Sequence, residues 1–156
     1  MSLINAKKYL SKFGFDNKIQ EFSVSSATVE LASKALNCNP ERIAKTLSFM
    51  VDEPILIVTA GDMKIDNQKY KLQFGTKAKM LPFEDAEILI GHAIGGVCPF
   101  GINNNVKVYL DISLKRFSTV FPACGSSNSA IELTINELEK LSQNFVSWVD
   151  VCKSMS

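Results

Sequence analysis

The sequence predicts an α+β domain built on a mixed β-sheet, and three observations lead there. Stretches with helical spacing and stretches with period-two spacing are interspersed without regular β-α-β alternation, which disfavours a doubly wound parallel fold. Lys45, Leu47, Phe49 and Val51 alternate with Thr46, Ser48 and Met50, so a strand with two distinct faces is expected. Soon after it, Ile55 to Ala60 is a nearly unbroken apolar run, the pattern of a strand covered on both faces.

The elements follow in order. Ser2 to Phe13 reads as a helix with Leu3, Ala6, Leu10 and Phe13 on one stripe, ended by Gly14. Lys18 to Val24 is expected as a short edge strand. Ser25 and Ser26 offer an N-cap, answered by Glu30, for a helix over Ala27 to Leu36 that buries Val29, Ala32 and Leu36. Pro40 to Ile43 adds a helical turn. After the two strands, Lys64 to Phe74 is expected as a helix broken by Gly75, and Pro82 to Leu89 as another with Pro82 at its first position. Val106 to Leu110 reads as a strand, Asp111 to Phe117 as a short helix capped by Asp111, and Thr119 to Phe121 as a strand. Ile131 to Thr134 (strand), Ile135 to Leu141 (helix) and Phe145 to Val151 (strand) complete the chain.

At 156 residues the chain predicts one domain over 1–156 with a sizeable core. The formal charge of +1, from 17 basic and 16 acidic residues, creates no global field for nucleic acid or membrane. Contact with RNA must therefore be local. The local basic stretch carries Lys64, Lys69, Lys71, Lys77 and Lys79; a solvated helix face is the bland alternative. Cysteines 38, 98, 124 and 152 are dispersed and there is one histidine, so no metal site and no cofactor is expected. Met1 to Lys12 is polar and lysine-rich, without the apolar core of a signal peptide, and no apolar run is long enough to span a bilayer. A cytoplasmic setting with free thiols is expected.

Two features stand out chemically. Gly91 to Gly101 holds four of the eight glycines and the single histidine, with Pro99 beside Cys98. Glycine permits close backbone approach, so the Gly95–Gly96 pair before Val97 could turn amides toward a ligand; a tight turn is the alternative. Ile94, Val97 and Phe100 argue that this loop is pinned to the core. Lys45 is the second feature, because strand alternation puts it on the face of Leu47, Phe49 and Val51. It must snorkel out, find a partner or lose charge. Cys98 and His92 could form a thiol and base, yet six residues apart on a loop they have no compelling geometry, and Cys98 reads equally as a small buried hydrophobe. No phosphate-binding loop and no Gly-x-Ser-x-Gly elbow is present.

Lys45-Thr46-Leu47, then Gly91 with Gly95-Gly96-Val97-Cys98-Pro99-Phe100-Gly101, then Asp111, then a small-residue glycine loop ahead of Ile131-Glu132-Leu133 resembles the YbaK/EbsC family. These are free-standing relatives of the editing domain of bacterial prolyl-tRNA synthetases. The resemblance spans roughly Ser25 to Val151. It implies a curled mixed sheet with flanking helices and hydrolysis of the ester joining a wrong amino acid to tRNA, of the Cys- or Ala-tRNA-Pro type. It also implies the tRNA acceptor end as partner, with a synthetase as a second. The family lysine falls on Lys45, the Gly-x-x-x-Pro loop on Gly95 to Pro99, and the family aspartate on Asp111. Lys45, Gly95, Gly96 and Val97 are then the expected catalytic set. Thr46, His92, Cys98, Pro99, Phe100, Gly101, Asp111, Gly125 and Ser126 are expected to bind substrate. Two departures are visible: Cys98 stands where serine is frequent, and Gly125-Ser126-Ser127-Asn128 lacks the arginine often found there.

An aminoacyl ester is already activated, so a pocket, amides for the carbonyl oxygen and a cation near the terminal adenosine suffice, with a substrate hydroxyl or thiol assisting. The competing functions are a non-catalytic module that binds a tRNA end or a protein, and a hydrolase using Cys98 as nucleophile.

Overall fold

The computed structural model describes residues 2–155. Helix α1 (Ser2–Ser11) buries Ala6 and Leu10, and Gly14 takes the left-handed φ of +76° that ends the turn after it. Strand β1 is only Gln20–Glu21, where a strand over 18–24 is expected; Asp16–Lys18 forms a 3-10 turn instead, and β1 pairs with Ser129–Ala130 alone. Helix α2 (Val29–Leu36) is capped by Thr28, whose hydroxyl accepts from the Leu31 amide, rather than by Ser25 or Ser26. Those two serines turn the other way, both donating to the Ser127 carbonyl.

Strand β2 (Ile43–Met50) and strand β3 (Pro54–Ala60) pair antiparallel from Ala44↔Ala60 to Met50↔Pro54. Every residue of β3 is buried, as its apolar run requires. Strand β4 (Met63–Ile65) and helix α3 (Asn67–Phe74) replace the single helix expected over 64–74. Asp66 causes the break: its carboxylate accepts from the amides of Gln68 and Lys69, so the helix starts there. Phe83–Asp85 is a 3-10 turn leading into α4 (Ala86–Ile90), where one helix over 82–89 is expected; Pro82 precedes the turn.

Strand β5 (Lys107–Asp111) is followed by a 3-10 turn, Ile112–Arg116, capped by Asp111, then by β6 (Thr119–Pro122), β7 (Ser129–Ala130) and β8 (Leu133–Thr134). Helix α5 (Ile135–Leu141) starts with a reciprocal Thr134–Glu137 capping box. The closing strand ends earlier than expected: β9 is Phe145–Val149, and β10 (Cys152–Ser154) turns away to pair with β4. The Val151 amide donates to Asp111 Oδ1 at 2.9 Å, which redirects the chain between the two.

The main sheet is mixed, curled and flanked by helices, in the order β8-β6-β2-β3-β5-β9. One face buries Leu56, Val58, Val108 and Leu110 under α1 and α5; the other buries Phe49, Ile55, Ile57 and Val149 against Tyr70 of α3. β2 meets β6 only at Ile43↔Phe121 and Ala44↔Pro122. Further along, the same edge of β2 is taken by the segment before α4, through Leu81 N–H to Ser48 O and Met50 N–H to Lys79 O. Between these pairings the edge opens, and a cavity lies there.

Candidate active site

A mainly apolar cavity of about 290 Å³ occupies the gap. Ala44 to Ser48 of β2 form one wall. Ser26 to Val29, the loop residues Ile94, Gly95 and Val97, and Ala123, Ser129 and Ala130 form the others, with Met80 at one side. Small residues dominate because three backbone segments converge here. Gly96 shows how closely: a Cβ on it would lie 2.6 Å from Gly125 C and Ser126 N. Gly95 has φ +98°, which an L side chain rarely adopts, and the Ala27 and Ser127 side chains stand against it.

Lys45 and Thr46 therefore line the same cavity as Gly95 and Val97. The Lys45 ammonium donates to the Met63 carbonyl on β4. Burial lowers the Lys45 pKa, and Cys152 and Asp62 nearby act against that lowering. Thr46 Oγ1 is buried and has no hydrogen-bond partner among the described residues. The loop amides divide. Gly96 N–H closes a turn on the Ala93 carbonyl at 3.0 Å, whereas Gly95 and Val97 N–H meet no acceptor among the described residues.

The other expected residues lie behind this surface and do not line the cavity. His92 and Cys98 are fully buried side by side, Cys98 Sγ 3.5 Å from His92 Nε2. His92 Nε2 sits 2.7 Å from the Phe100 carbonyl, which assigns its proton to that nitrogen and leaves buried Nδ1 unpartnered. Burial holds the imidazole below its usual range and pushes the Cys98 thiol up to about 12. Neither is poised for nucleophilic chemistry. Phe100 is buried and stacks on Tyr9, and the Pro99 carbonyl accepts from Gln143. Gly101 and Gly125 pass under α1, where a Cβ would meet Asn5 O or Ser2 O at 2.4 Å. The Ser126 hydroxyl bonds Ser129 Oγ and Asn128. Asp111 is 1% exposed, and its two oxygens accept from the Ser113 and Val151 amides at 2.9 Å each.

A family model described as the aminoacyl-tRNA editing domain matches residues 24–141. The chain belongs to that family. Bacillus subtilis YwhH, named as uncharacterised, is 53% identical over 155 residues, 98% of each chain. Enterococcus faecalis EbsC, provisionally named a Cys-tRNA(Pro)/Cys-tRNA(Cys) deacylase, is 27% identical over 83% of this chain and 82% of its own. A crystal structure provisionally assigned as a trans-editing enzyme for prolyl tRNA synthetase matches with TM-score 0.85 at 27% identity, over 98% of each chain.

Sequence reasoning did not single out several residues that line the cavity of this editing domain. Ser48 shares the strand face of Thr46, so alternation could have added it. Ser26, Thr28 and Ser129 come from segments far apart in sequence, and only the fold brings them to Gly95. Met80 arrives through its bridge to Phe49, which no local pattern announces.

Proposed function

We propose that this editing domain hydrolyses the ester of mischarged aminoacyl-tRNA in trans, with a small amino acid such as Cys or Ala on tRNA-Pro as substrate. The observation that carries the reading is the convergence of Lys45, Thr46, Gly95 and Val97 on one small, mainly apolar cavity. Its size, near the lower end for ligand pockets, suits an aminoacyl group better than a whole nucleotide. The kinship of EbsC and of the prolyl trans-editing structure supports the same substrate class.

In this reading the aminoacyl side chain enters between Ala44, Ala123 and Ala130. Water attacks the ester carbon, and the developing oxyanion receives the amides of Gly95 and Val97. The ribose oxygen leaves and takes up the proton that the water loses, relayed by the neighbouring ribose hydroxyl. Lys45 uses one of its three N–H donors on Met63 and keeps two for the phosphate or ribose end. Because a hydrophobic pocket discriminates one methylene by only about 1–3 kcal/mol, a second, hydrolytic sieve is useful to translation.

The test is incubation with a panel of mischarged tRNAs, Cys- and Ala-tRNA-Pro first. Release of the amino acid by the parent and not by Lys45→Ala is expected. Tight binding of the charged tRNA without release would instead establish a non-catalytic module.

A further inference from the structure

Lys45 is held from behind by a frame outside the cavity. The turn between β3 and β4 carries Asp62, whose carboxylate takes a two-pronged pair from Arg116: Nη1 to Oδ2 at 3.0 Å and Nη2 to Oδ1 at 2.6 Å. Arg116 Nε also donates to the Ser113 carbonyl at 2.8 Å, and Ser113 Oγ accepts from the Ala60 amide at 3.2 Å. The 3-10 turn after β5, the end of β3 and the β3–β4 turn are thereby tied together. The residue after Asp62 is Met63, whose carbonyl accepts from Lys45 Nζ.

We propose that Asp62 and Arg116 are positioning residues: their ion pair fixes the turn that presents the Met63 carbonyl, and so sets where the Lys45 ammonium stands at the cavity. The inference rests on the reading of Lys45 as the site cation. A planar guanidinium fork fixes a carboxylate in two directions, which a lysine in its place would not. The electrostatics fit the geometry. The groups acting on Lys45 from the elements packed around it are Asp62 on the turn and Cys152 on β10, with Arg116 behind Asp62 and Asp111 behind Cys152. Burial and Asp111 keep the Cys152 thiol protonated, with a pKa of about 12. Asp62 is then the anion that Lys45 feels at neutral pH, and Arg116 offsets part of its field.

Two single substitutions should consequently move Lys45 in opposite directions. The measurement is the titration of the Lys45 Cε resonance by NMR in lysine-labelled protein, assigned with Lys45→Arg, alongside kcat and KM for deacylation and Tm. Asp62→Asn removes the anion and should shift the Lys45 titration to lower pH. Arg116→Gln removes the offsetting cation and should shift it to higher pH, with the double variant between them. Both single variants should lose about ten- to a hundredfold in kcat with KM little changed, because a cation displaced by about 1 Å is mispositioned for the transition state. The pair is partly exposed, so Tm should move by less than about 4 °C. Titrations that stay put or shift the same way in both variants overturn the proposal. If Lys45→Ala deacylates at the parental rate, the reading of Lys45 as site cation falls; if Lys45→Ala fails while Asp62→Asn and Arg116→Gln both keep the parental kcat, that reading stands and the positioning falls.

Discussion

Gly96→Ala tests whether the two glycine loops that close the cavity touch as tightly as their backbones require. A Cβ at Gly96 would stand 2.6 Å from Gly125 C and Ser126 N and 2.8 Å from Gly125 O, all backbone atoms that no rotamer can move aside. Ordinary carbon contacts sit near about 3.5 Å, so the loops must part by roughly 0.9 Å. Overpacking of this kind costs about 1–3 kcal/mol, and the lower entropy of an unfolded alanine returns about 0.4–1 of it. The net loss of about 1–2 kcal/mol corresponds to a Tm drop of about 2–8 °C in a chain of this length. Gly95 and Val97 flank the substitution and line the cavity, so a shift near 1 Å should reduce deacylation about 100-fold. Gly75→Ala is the control: it incurs the left-handed strain at φ +75° with no atom within 4 Å, and should lower Tm without touching deacylation. The reasoning is refuted if Gly96→Ala unfolds and deacylates like the parent.

Further outcomes are expected. Cys98→Ser should retain most deacylation. With a thiol near 12, roughly one Cys98 in ten thousand is ionised at pH 8, so iodoacetamide followed by mass spectrometry should label the partly exposed Cys38 and spare Cys98 in native protein. Deacylation, corrected for spontaneous ester hydrolysis, should fall on an alkaline limb below the ordinary lysine value of 10.5, and Lys45→Met should abolish it. The sign for stability is opposite: the unfolded chain binds more protons in that window, so stability rises with pH as Lys45 neutralises, and Lys45→Met should remove this rise in urea titrations. Reversing Lys77 and Lys79 to glutamate should weaken tRNA binding and flatten its dependence on salt, the logarithmic slope falling by about 0.7–0.9 for each phosphate that is no longer neutralised. An unchanged slope in filter binding would leave these lysines as a solvated face.

The fold was legible wherever one periodicity governs a whole element. β3 was readable because both its neighbours and both its faces exclude water, and α5 because its capping box and apolar spacing agree. Elements of two or three residues were not, since their reason lies elsewhere in the chain. β1 exists through Ser129–Ala130, and β4 and β10 through each other. The helix expected over 64–74 failed at one residue, Asp66, whose side chain offers a cap that is satisfied only if Met63–Ile65 is extended.

The candidate site was legible in its two anomalies and obscure in their surroundings, for a common physical reason. A lysine on an apolar strand face and a glycine pair in an apolar loop both break local rules, and Lys45 and Gly95 line the cavity while Gly96 packs against the second glycine loop. The neighbours of the glycine pair were read with it because they adjoin it in sequence, yet a loop has two sides. Gly95 and Val97 meet the cavity, while His92, Cys98 and Phe100 form the packed underside that holds them, with the His92 proton and the Cys98 thiol both turned on the Phe100 carbonyl. Asp111 belongs to the same supporting class: a carboxylate accepting two backbone amides at 2.9 Å fixes the start of the Ile112–Arg116 turn, and through Ser113 and Arg116 that turn reaches Asp62. Residue types that suggest chemistry in a sequence are here buried and held by backbone hydrogen bonds. Asp111→Asn should accordingly lower stability before it alters the cavity, since an amide group replaces one of its two acceptors with a donor facing a buried N–H.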